Sequence, residues 1–336
     1  MNTPRGQDRA RKSLWFEKYG PCLSLSSKVV FHVKAIVGKI RITGVGSTVA
    51  DAKGELVRVL CLGATGRLGQ MLRRAWHEDP RLATVWHGRH PRPGADMLCF
   101  DILGDTQALH HAMRRADVVL CLAGVTPASG AALTLNRTLA LAVQAAAGAR
   151  PVLLASSAAV YGRAEGPCRE EDEARPTAPY GQAKIEMENA VLAQGGPVTC
   201  LRIGNVAGAD QILGRVAAGT PITLDRFADG RTPARSYIGP ATLAGQLADL
   251  CLAAGRGVAL PPVLNVAAPG AVEMGALLDA VPHPWHPRPA PAEAIAKVVL
   301  DTQRLGRLLT LDPATGTPER LVAEWRADLE KAELER

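Results

Sequence analysis

Tyr180 and Lys184 are the pair whose residue types and spacing most clearly indicate chemistry. They lie four residues apart in the segment Pro-Tyr-Gly-Gln-Ala-Lys at positions 179–184, so a helix would place both side chains on one face. A free tyrosine has a pKa of about 10, and a tyrosine that exchanges protons near neutral pH needs a pKa about 3 units lower, which is about 4 kcal/mol. Because a neighbouring ammonium favours the phenolate, the pair predicts a tyrosine that acts as acid and base.

Ser157 is a third residue that supports a catalytic role for Tyr180 and Lys184. It stands 23 residues before Tyr180, where an apolar run that predicts a strand ends in Leu-Ala-Ser-Ser. A serine hydroxyl at the end of a strand can hydrogen-bond the same substrate oxygen as the phenol. The tetrad Tyr-x-x-x-Lys arises by chance in many helices, but its place downstream of this serine makes it informative. The sequence therefore predicts a catalytic set of Ser157, Tyr180 and Lys184.

A glycine-rich turn follows the first apolar run and reads Gly-Ala-Thr-Gly-Arg-Leu-Gly at positions 63–69. Glycines at this spacing let backbone N–H groups approach a pyrophosphate, and the helix that follows points its positive end at the negative charge. The last glycine lets that helix pack close to the sheet. A tight turn alone would also account for these glycines. As a cofactor site, the turn predicts contacts from Gly63, Thr65, Gly66, Arg67, Leu68 and Gly69.

The end of the second predicted strand bears on which dinucleotide binds. Sites for NAD usually have Asp or Glu there, which binds the ribose 2′-hydroxyl. Here the residues are Val-Trp-His-Gly-Arg at positions 85–89, and Arg89 is placed to bind a 2′-phosphate. NADP(H) is therefore favoured, with NAD as the alternative. Asp101 and Ile102 follow the third predicted strand, where Asp101 either accepts a hydrogen bond from the adenine amino group or serves as a loop or cap residue.

The elements that would position these residues alternate between strands and helices. Short apolar runs predict the strands, and longer runs with helical periodicity or many Ala and Leu residues predict the helices. Such alternation is typical of βαβ units, so the sequence predicts an α/β fold of the Rossmann type with a doubly wound parallel sheet. Strands are predicted at 57–62, 83–87, 97–100, 116–122, 151–155 and 198–203, and helices at 68–76, 106–115, 131–147 and 180–193.

Charge and composition divide the chain into three parts. Residues 1–54 carry ten Lys or Arg and three Asp or Glu, whereas the rest of the chain carries 29 of each sign, so the net charge of +7 lies in the first part. Residues 1–54 are predicted to be a basic, poorly ordered extension. Residues 55–204 are predicted to form an NAD(P)-binding Rossmann domain. Residues 205–336, with frequent Pro and Gly, are predicted to form a smaller substrate-binding region that can return strands to the sheet.

The composition argues against several classes of protein. Aromatic residues make up only 4% of the chain, which disfavours a binder of single-stranded nucleic acid. The seven cysteines are scattered among apolar runs, as expected of small buried side chains in a reducing compartment such as the cytoplasm. The spacing of Cys and His residues predicts no metal site, and no apolar run approaches the length of about 18 residues that a membrane span needs.

Together these motifs resemble those of the extended short-chain dehydrogenase/reductase superfamily, in its NAD(P)-dependent epimerase/dehydratase group. The resemblance covers about residues 57–310. It implies that Tyr180 is the acid and base, that Lys184 binds the nicotinamide ribose and lowers the tyrosine pKa, and that Ser157 polarises the substrate oxygen. It further implies that the loop after the fourth strand lies beside the cofactor, at Leu122, Ala123 and Gly124.

The same resemblance implies substrate contacts and a partner. Asn205 resembles a substrate-contacting asparagine, and Arg235, which precedes Ser-Tyr-Ile, resembles an arginine that holds the diphosphate of a nucleotide sugar. Arg288 is a candidate for a second such arginine, with a plain surface role as the alternative. The predicted helices at 131–147 and 180–193 match the pair that forms the dimer interface in this superfamily, so a homodimer is expected.

Four functions fit the motifs, and the first is favoured. An oxidoreductase would exchange hydride between NAD(P) and a carbonyl or secondary alcohol of a sugar-like or other small substrate, with Tyr180 moving the proton. A nucleotide-sugar 4-epimerase, similar to UDP-glucose 4-epimerase, would instead keep NAD tightly bound. The other two are a non-catalytic NAD(P)-binding protein and a binder of anionic surfaces or nucleic acid through residues 1–54. A dehydratase is disfavoured because Ala158 and Ala159 stand where sugar dehydratases have acids.

Overall fold

The computed structural model describes residues 56–91, 96–126, 132–164 and 166–335, and the basic extension predicted at residues 1–54 lies outside them. The strands are β1 (Val57–Leu62), β2 (Leu82–Gly88), β3 (Leu98–Cys99), β4 (Val118–Cys121), β5 (Val152–Ser157), β6 (Pro167–Cys168), β7 (Val198–Ile203), β8 (Asn205–Val206), β9 (Ile222–Arg226), β10 (Ala234–Arg235), β11 (Tyr237–Ile238), β12 (Val263–Val266), β13 (Val272–Glu273), β14 (Trp285–Pro289) and β15 (Lys297–Leu300). The helices are α1 (Arg67–Trp76), α2 (Thr106–Met113), α3 (Leu135–Ala147), α4 (Pro179–Ala193), α5 (Gln211–Ala217), α6 (Pro240–Gly255), α7 (Met274–Ala280), α8 (Gln303–Leu308) and α9 (Pro318–Leu334).

Seven of these strands form one parallel sheet in the order β12-β7-β5-β4-β1-β2-β3. The order reverses between β1 and β4, which creates the crevice at the carboxyl ends of the strands where open α/β sheets bind ligands. The doubly wound Rossmann fold predicted from the sequence is therefore confirmed. Strands β1 and β7 have the predicted bounds, because parallel strands that are covered on both faces need apolar side chains along most of their length.

Helices cover both faces of this sheet and bury its apolar side chains. On one face, α1 and α6 contribute Leu72 and Leu247 to a buried cluster. On the other face, α2, α3 and α4 contribute Leu109, Val143 and Met187. Burial of one such side chain contributes about 1.5–3 kcal/mol. The two layers therefore hold the crevice between β1 and β4 in a fixed position.

The second half of the chain extends the sheet and also builds a smaller region. Strand β12 lies beside β7, whereas the short strands β13, β10, β15 and β6 form a separate sheet. An apolar cluster that includes Leu213, Leu277 and Trp325 holds the smaller region together. Its last helix, α9, reaches the layer that covers the main sheet, where Asp328 forms a half-buried ion pair with Arg74 of α1 at 2.7 Å.

Most of the cysteines that the structure describes lie in the core, as their apolar surroundings predicted. The buried ones are Cys61, Cys121, Cys168, Cys200 and Cys251, and Cys99 is exposed. Within the described ranges, no helix combines the length and the apolar character needed to cross a membrane. The same residues contain no cluster of three His, Cys, Asp or Glu side chains arranged to hold a metal ion.

Candidate active site

The three glycines of the turn between β1 and α1 serve two different purposes. A Cβ on Gly63, whose φ is +89°, would lie 2.6 Å from the Ala123 nitrogen, and a Cβ on Gly69 would lie 2.5 Å from the Gly63 oxygen. These two glycines therefore let β1 meet the loop after β4 and let α1 pack against the turn. Gly66 is different, because a Cβ there would come only to 3.4 Å of its nearest neighbour, the Gly63 oxygen.

Gly66 opens the amino end of α1 to a ligand. It is exposed and occupies the capping position of the helix, but it has no side chain that could cap the first amides. Hydrogen bonds to β2 fix the turn, since the Gly63 and Ala64 amides donate to the His87 carbonyl at 3.2 and 2.8 Å. Free amides at a helix amino end favour an anion. The turn therefore fits the pyrophosphate of a dinucleotide, with the backbone close enough because Gly66 has no Cβ.

Arg89 and Asp101 lie at the carboxyl edge beside this turn. Arg89 follows β2 and is exposed. One oxygen of Asp101 accepts hydrogen bonds from the amides of Gly104 (2.9 Å) and Leu103 (2.8 Å). These hydrogen bonds hold the pKa of Asp101 below its usual value, and the charge of Arg89 makes a smaller contribution. Asp101 is thus held in a turn next to Arg89. Ile102 is buried beneath it.

The loop after β4, at residues 122–125, reaches the predicted catalytic lysine. Asn136 of α3 fixes this loop, because its side chain accepts from the Val125 amide at 3.1 Å and donates to the Val125 carbonyl at 3.0 Å. A Cβ on Gly124 would lie 3.5 Å from Nζ of Lys184. The loop predicted to lie beside the cofactor therefore passes close to the lysine.

Ser157, Tyr180 and Lys184 are brought together at the carboxyl end of β5. Helix α4 begins at Pro179, which suits the first position of a helix, and so places Tyr180 in its first turn. The Ser157 hydroxyl lies near the phenol and accepts from the Ala159 amide at 3.2 Å. Nζ of Lys184 donates to the Ala155 carbonyl at 2.9 Å and lies 5.9 Å from the centre of the tyrosine ring.

The electrostatics of the pair differ from the sequence-based expectation. Burial raises the pKa of Tyr180, and the hydrogen bond from Ser157 and the charge of Arg67 only partly oppose it. Burial also lowers the pKa of Lys184 to about 8. The expectation of a lowered tyrosine pKa is therefore wrong for the chain by itself, because the loss of water around the phenol outweighs the nearby positive charges.

Lys184→Met is expected to stabilise the chain at neutral pH. The lysine pKa is about 8 in the fold and about 10.4 when unfolded, so the unfolded chain binds more protons between those values and stability rises with pH there. Below pH 8 the buried ammonium costs about 3 kcal/mol. The measurement is the free energy of urea unfolding at pH 7 and at pH 9.5. It should be higher at pH 9.5 in the wild type, and Lys184→Met should abolish this difference. Lys297→Met, at an exposed lysine, is the control, and a rise that persists in Lys184→Met would contradict the assignment.

Arg67 makes a contact that sequence spacing did not indicate. Its Nη1 donates to the Ala209 carbonyl at 2.5 Å, across 142 positions of the chain. This bond joins the glycine-rich turn to the segment that follows β8. Against the larger effect of burial, the charge of Arg67 also lowers the pKa of the Tyr180 phenol, so Arg67 influences the predicted acid and base from the predicted cofactor turn.

The three predicted substrate residues have different surroundings. Arg235 is half-buried and donates to the carbonyls of Ala234 (2.8 Å) and Ile295 (3.0 Å), and within the described residues it has no carboxylate partner. It therefore keeps a positive charge that suits an anion. Asn205 lies near the Tyr237 hydroxyl, which donates to Asp210 at 3.2 Å.

Arg288 is placed differently from Arg235. Its side chain is 61% exposed and its Nε lies 2.6 Å from a carboxylate oxygen of Asp225. The two residues face each other in the register of β14 and β9. Since Asp225 neutralises this guanidinium at the surface, the plain surface role is the better account of Arg288.

A buried ionic cluster next to the catalytic set was not predicted from the sequence. Glu188 is fully buried, accepts a hydrogen bond from Ser156 and forms an ion pair with Arg202 at 2.8 Å. The only local sign of it is that Glu188 follows Lys184 by four residues, on the same face of α4. Arg202 sits in an apolar strand far along the chain, and sequence spacing carries no information about such a pairing.

Comparisons with known proteins agree with this arrangement. The model of the NAD dependent epimerase/dehydratase family matches residues 59–247. A UDP-glucose 4-epimerase of Azospirillum brasilense is 33% identical over 193 residues, which are 51% of this chain and 55% of that protein. The methionine adenosyltransferase 2 subunit beta of Bos taurus is 32% identical over 160 residues, which are 44% of this chain and 46% of that protein. The chain thus spans about half the length of the curated relatives it matches.

Solved structures share the fold over most of the chain. MoeE5 in complex with UDP-glucuronic acid and NAD has a TM-score of 0.67 at 22% identity, covering 82% of this chain and 99% of that one. A UDP-glucose-4-epimerase from Stenotrophomonas maltophila with bound NAD has a TM-score of 0.66 at 20% identity, covering 83% and 99%. At these identities the likeness concerns the fold.

Proposed function

The chain belongs to the NAD dependent epimerase/dehydratase family, and on that basis we propose that it is an NAD(P)-dependent oxidoreductase acting on a carbonyl or secondary alcohol. The observation that carries the proposal is the meeting of Ser157, Tyr180 and Lys184 at the carboxyl end of β5. The loop after β4 joins them to the glycine-rich turn, and both lie at the crevice of the sheet. The substrate is proposed to be a sugar-like or other small molecule.

The side chains of this set have distinct tasks in the proposed reaction. The dinucleotide, when bound, supplies or accepts the hydride. Tyr180 holds its proton in the chain alone, because burial raises its pKa, and is therefore suited to donate that proton to the oxygen of a carbonyl substrate. Ser157, which lies near the phenol, orients the same oxygen. Lys184 presents an ammonium beside the loop at Gly124, where it is proposed to bind the nicotinamide ribose.

NADP(H) is the proposed cofactor, and NAD is the alternative. Arg89 supports NADP(H), since it is exposed at the end of β2, where NAD sites have an acid. Comparison structures such as MoeE5 contain bound NAD, which supports the alternative. Both fit the glycine-rich turn equally, because the turn would contact only the pyrophosphate.

Arg89→Ala is expected to weaken NADPH binding by about 10- to 100-fold and NADH binding by less than about 2-fold. A charge-assisted hydrogen bond to a phosphate contributes about 1.5–3 kcal/mol, and NADH lacks that phosphate. Dissociation constants from the fluorescence of the reduced nicotinamide provide the measurement. Arg256→Ala, at an exposed arginine that follows α6, is the matched control. Equal losses for both dinucleotides in Arg89→Ala would exclude a 2′-phosphate contact.

A nucleotide-sugar 4-epimerase is the second candidate, and Arg235 favours it. A half-buried guanidinium that donates to carbonyls but has no carboxylate partner among the described residues suits a diphosphate. The relative from Azospirillum brasilense is named a UDP-glucose 4-epimerase. Interconversion of UDP-glucose and UDP-galactose without added dinucleotide would select this candidate over the reductase. A non-catalytic role is less favoured because Ser157, Tyr180 and Lys184 are all present and lie together at the carboxyl end of β5.

The chain is further proposed to form a homodimer in the cytoplasm. Helices α3 and α4 pack side by side, and their outer faces leave a shallow cavity of about 340 Å³. Its lining residues are Thr134, Arg137, Thr138, Leu141 and Glu186. The resemblance places a dimer interface on this pair of helices, and free buried thiols suit a reducing compartment. Sedimentation equilibrium tests the dimer directly, and a monomer at micromolar concentration would rule it out.

A further inference from the structure

Glu188 places a charged carboxylate at the centre of the fold, and a buried charge of this kind calls for an explanation. It is 0% exposed. Arg202 of β7 donates to one of its oxygens from Nη2 at 2.8 Å and from Nε at 3.1 Å. The Ser156 hydroxyl of β5 donates to the other oxygen. Burying such a pair gains little stability over apolar packing, so the pair raises the question of what else it does.

The cluster lies in line with the proposed catalytic set. Tyr180, Lys184 and Glu188 follow one another at four-residue spacing on one face of α4, and each meets the end of β5. Ser157 meets the phenol, the Ala155 carbonyl accepts from the ammonium, and Ser156 meets the carboxylate. Three successive residues of one strand are therefore fixed to three successive turns of one helix.

Lys184 has few groups around it that could keep its proton. The thiols of Cys121 on β4 and Cys200 on β7 face it, together with Tyr180 and Glu188 of its own helix. Burial raises the pKa of Cys121 to about 11 and that of Cys200 further, so both thiols are neutral. The phenol is neutral as well. Among the described residues that face the ammonium, Glu188 is the one anion.

We propose that Glu188 is a positioning residue, whose carboxylate, held by Arg202, keeps the buried ammonium of Lys184 protonated at neutral pH and ties the Ser156–Ser157 end of β5 to α4. An ammonium surrounded only by neutral groups would lose its proton to water more readily. The carboxylate lies one helical turn away and offsets that loss. The role of Glu188 in dinucleotide binding rests on the function proposed above, whereas its effect on the protonation of Lys184 does not.

The direct test is the titration of Lys184 by NMR in protein labelled with [ε-¹³C]lysine. The lysines of residues 56–335 are Lys184, Lys297 and Lys331, and a Lys184→Met spectrum identifies the signal of Lys184. Glu188→Gln should move its midpoint to lower pH by about 0.5–1.5 units, since one nearby charge is removed. Ser156→Ala keeps the charge and should leave the midpoint within about 0.2 units. An unchanged midpoint in folded Glu188→Gln would overturn the proposal.

A second variant covers the case in which Glu188→Gln does not fold, because that change leaves Arg202 buried without its carboxylate. Glu188→Gln/Arg202→Met removes both charges and keeps side-chain volume, a replacement that buried ion pairs often tolerate. Its Lys184 midpoint should lie below that of the wild type and above that of Glu188→Gln. A midpoint equal to that of the wild type would overturn the proposal here too.

The dissociation constant of the dinucleotide as a function of pH then separates this inference from the proposed function. In the wild type the affinity should fall as Lys184 loses its proton above pH 8, and in Glu188→Gln the fall should begin at lower pH, with several-fold weaker binding at pH 8. A wild type that binds neither NADH nor NADPH would reject the proposed function, while the NMR midpoints still decide the effect on Lys184. Binding with the same pH profile in both proteins would reject the role of Glu188 in dinucleotide binding.

Discussion

Tyr180→Phe is expected to lower turnover by about 10²- to 10⁴-fold, the range that a positioned acid or base contributes. The change removes one oxygen and leaves the ring, which packs beside Lys184 at 5.9 Å. Because no contact of the glycine-rich turn is altered, dinucleotide affinity should stay within about 2-fold of the wild type. A loss in kcat without a loss in cofactor affinity is the signature of a group that acts in the chemical step.

The measurement for Tyr180→Phe is the absorbance of the reduced nicotinamide with carbonyl substrates, including 4-keto sugars. Tyr161→Phe is a matched control, since it deletes a phenol oxygen that donates to Asn265 at 2.8 Å and has no role in the proposed reaction. That control should lose stability by about 1 kcal/mol but keep its turnover. Near-wild-type activity in Tyr180→Phe would remove this residue from the mechanism.

Gly66→Ala and Gly69→Ala are expected to fail in different ways. At Gly69 the new Cβ would lie 2.5 Å from the backbone of Gly63 and Ala64, which cannot move aside, so we expect a loss of stability of about 2–4 kcal/mol. At Gly66 the nearest atom is 3.4 Å away, so the fold should change by less than about 1 kcal/mol. The same methyl group would fill the space of the pyrophosphate and lower dinucleotide affinity by at least about 10-fold.

Urea unfolding and dinucleotide titration of the two variants provide the comparison. Gly245→Ala is the control, because it lies on the exposed side of α6 with open space around it, and it should stabilise the chain by about 0.5–1 kcal/mol. If Gly66→Ala bound dinucleotide as tightly as the wild type, the amino end of α1 would not be the pyrophosphate site.

The parts of the fold that were predictable are those in which one physical requirement acts on consecutive residues. The runs at Val57–Leu62 and Val198–Ile203 are apolar along most of their length because parallel strands are covered on both faces. The short strands β10, β11 and β13 have two residues each, and two residues show no periodicity. The sequence therefore predicted that a smaller region exists, but not how its strands pair.

The candidate site likewise has a part that was predictable from the sequence and a part that was not. Ser157, Tyr180 and Lys184 were predicted because their spacing is local or follows the strand–helix alternation. The contact of Arg67 with Ala209 and the pair of Glu188 with Arg202 join distant parts of the chain, and no local pattern encodes them. In the chain by itself the Tyr180 pKa is raised and not lowered, because burial depends on the packing of the whole crevice, which no local pattern encodes.

The amount of dinucleotide bound per chain tests the central claim most directly. Purified protein is denatured to release and identify any retained NAD or NADP, and a parallel sample is titrated with NADH and NADPH by calorimetry. We expect retained and added dinucleotide together to reach one per chain, and Gly66→Ala to bind far less under the same conditions. A folded wild-type chain that retains none and binds neither NADH nor NADPH would contradict the account.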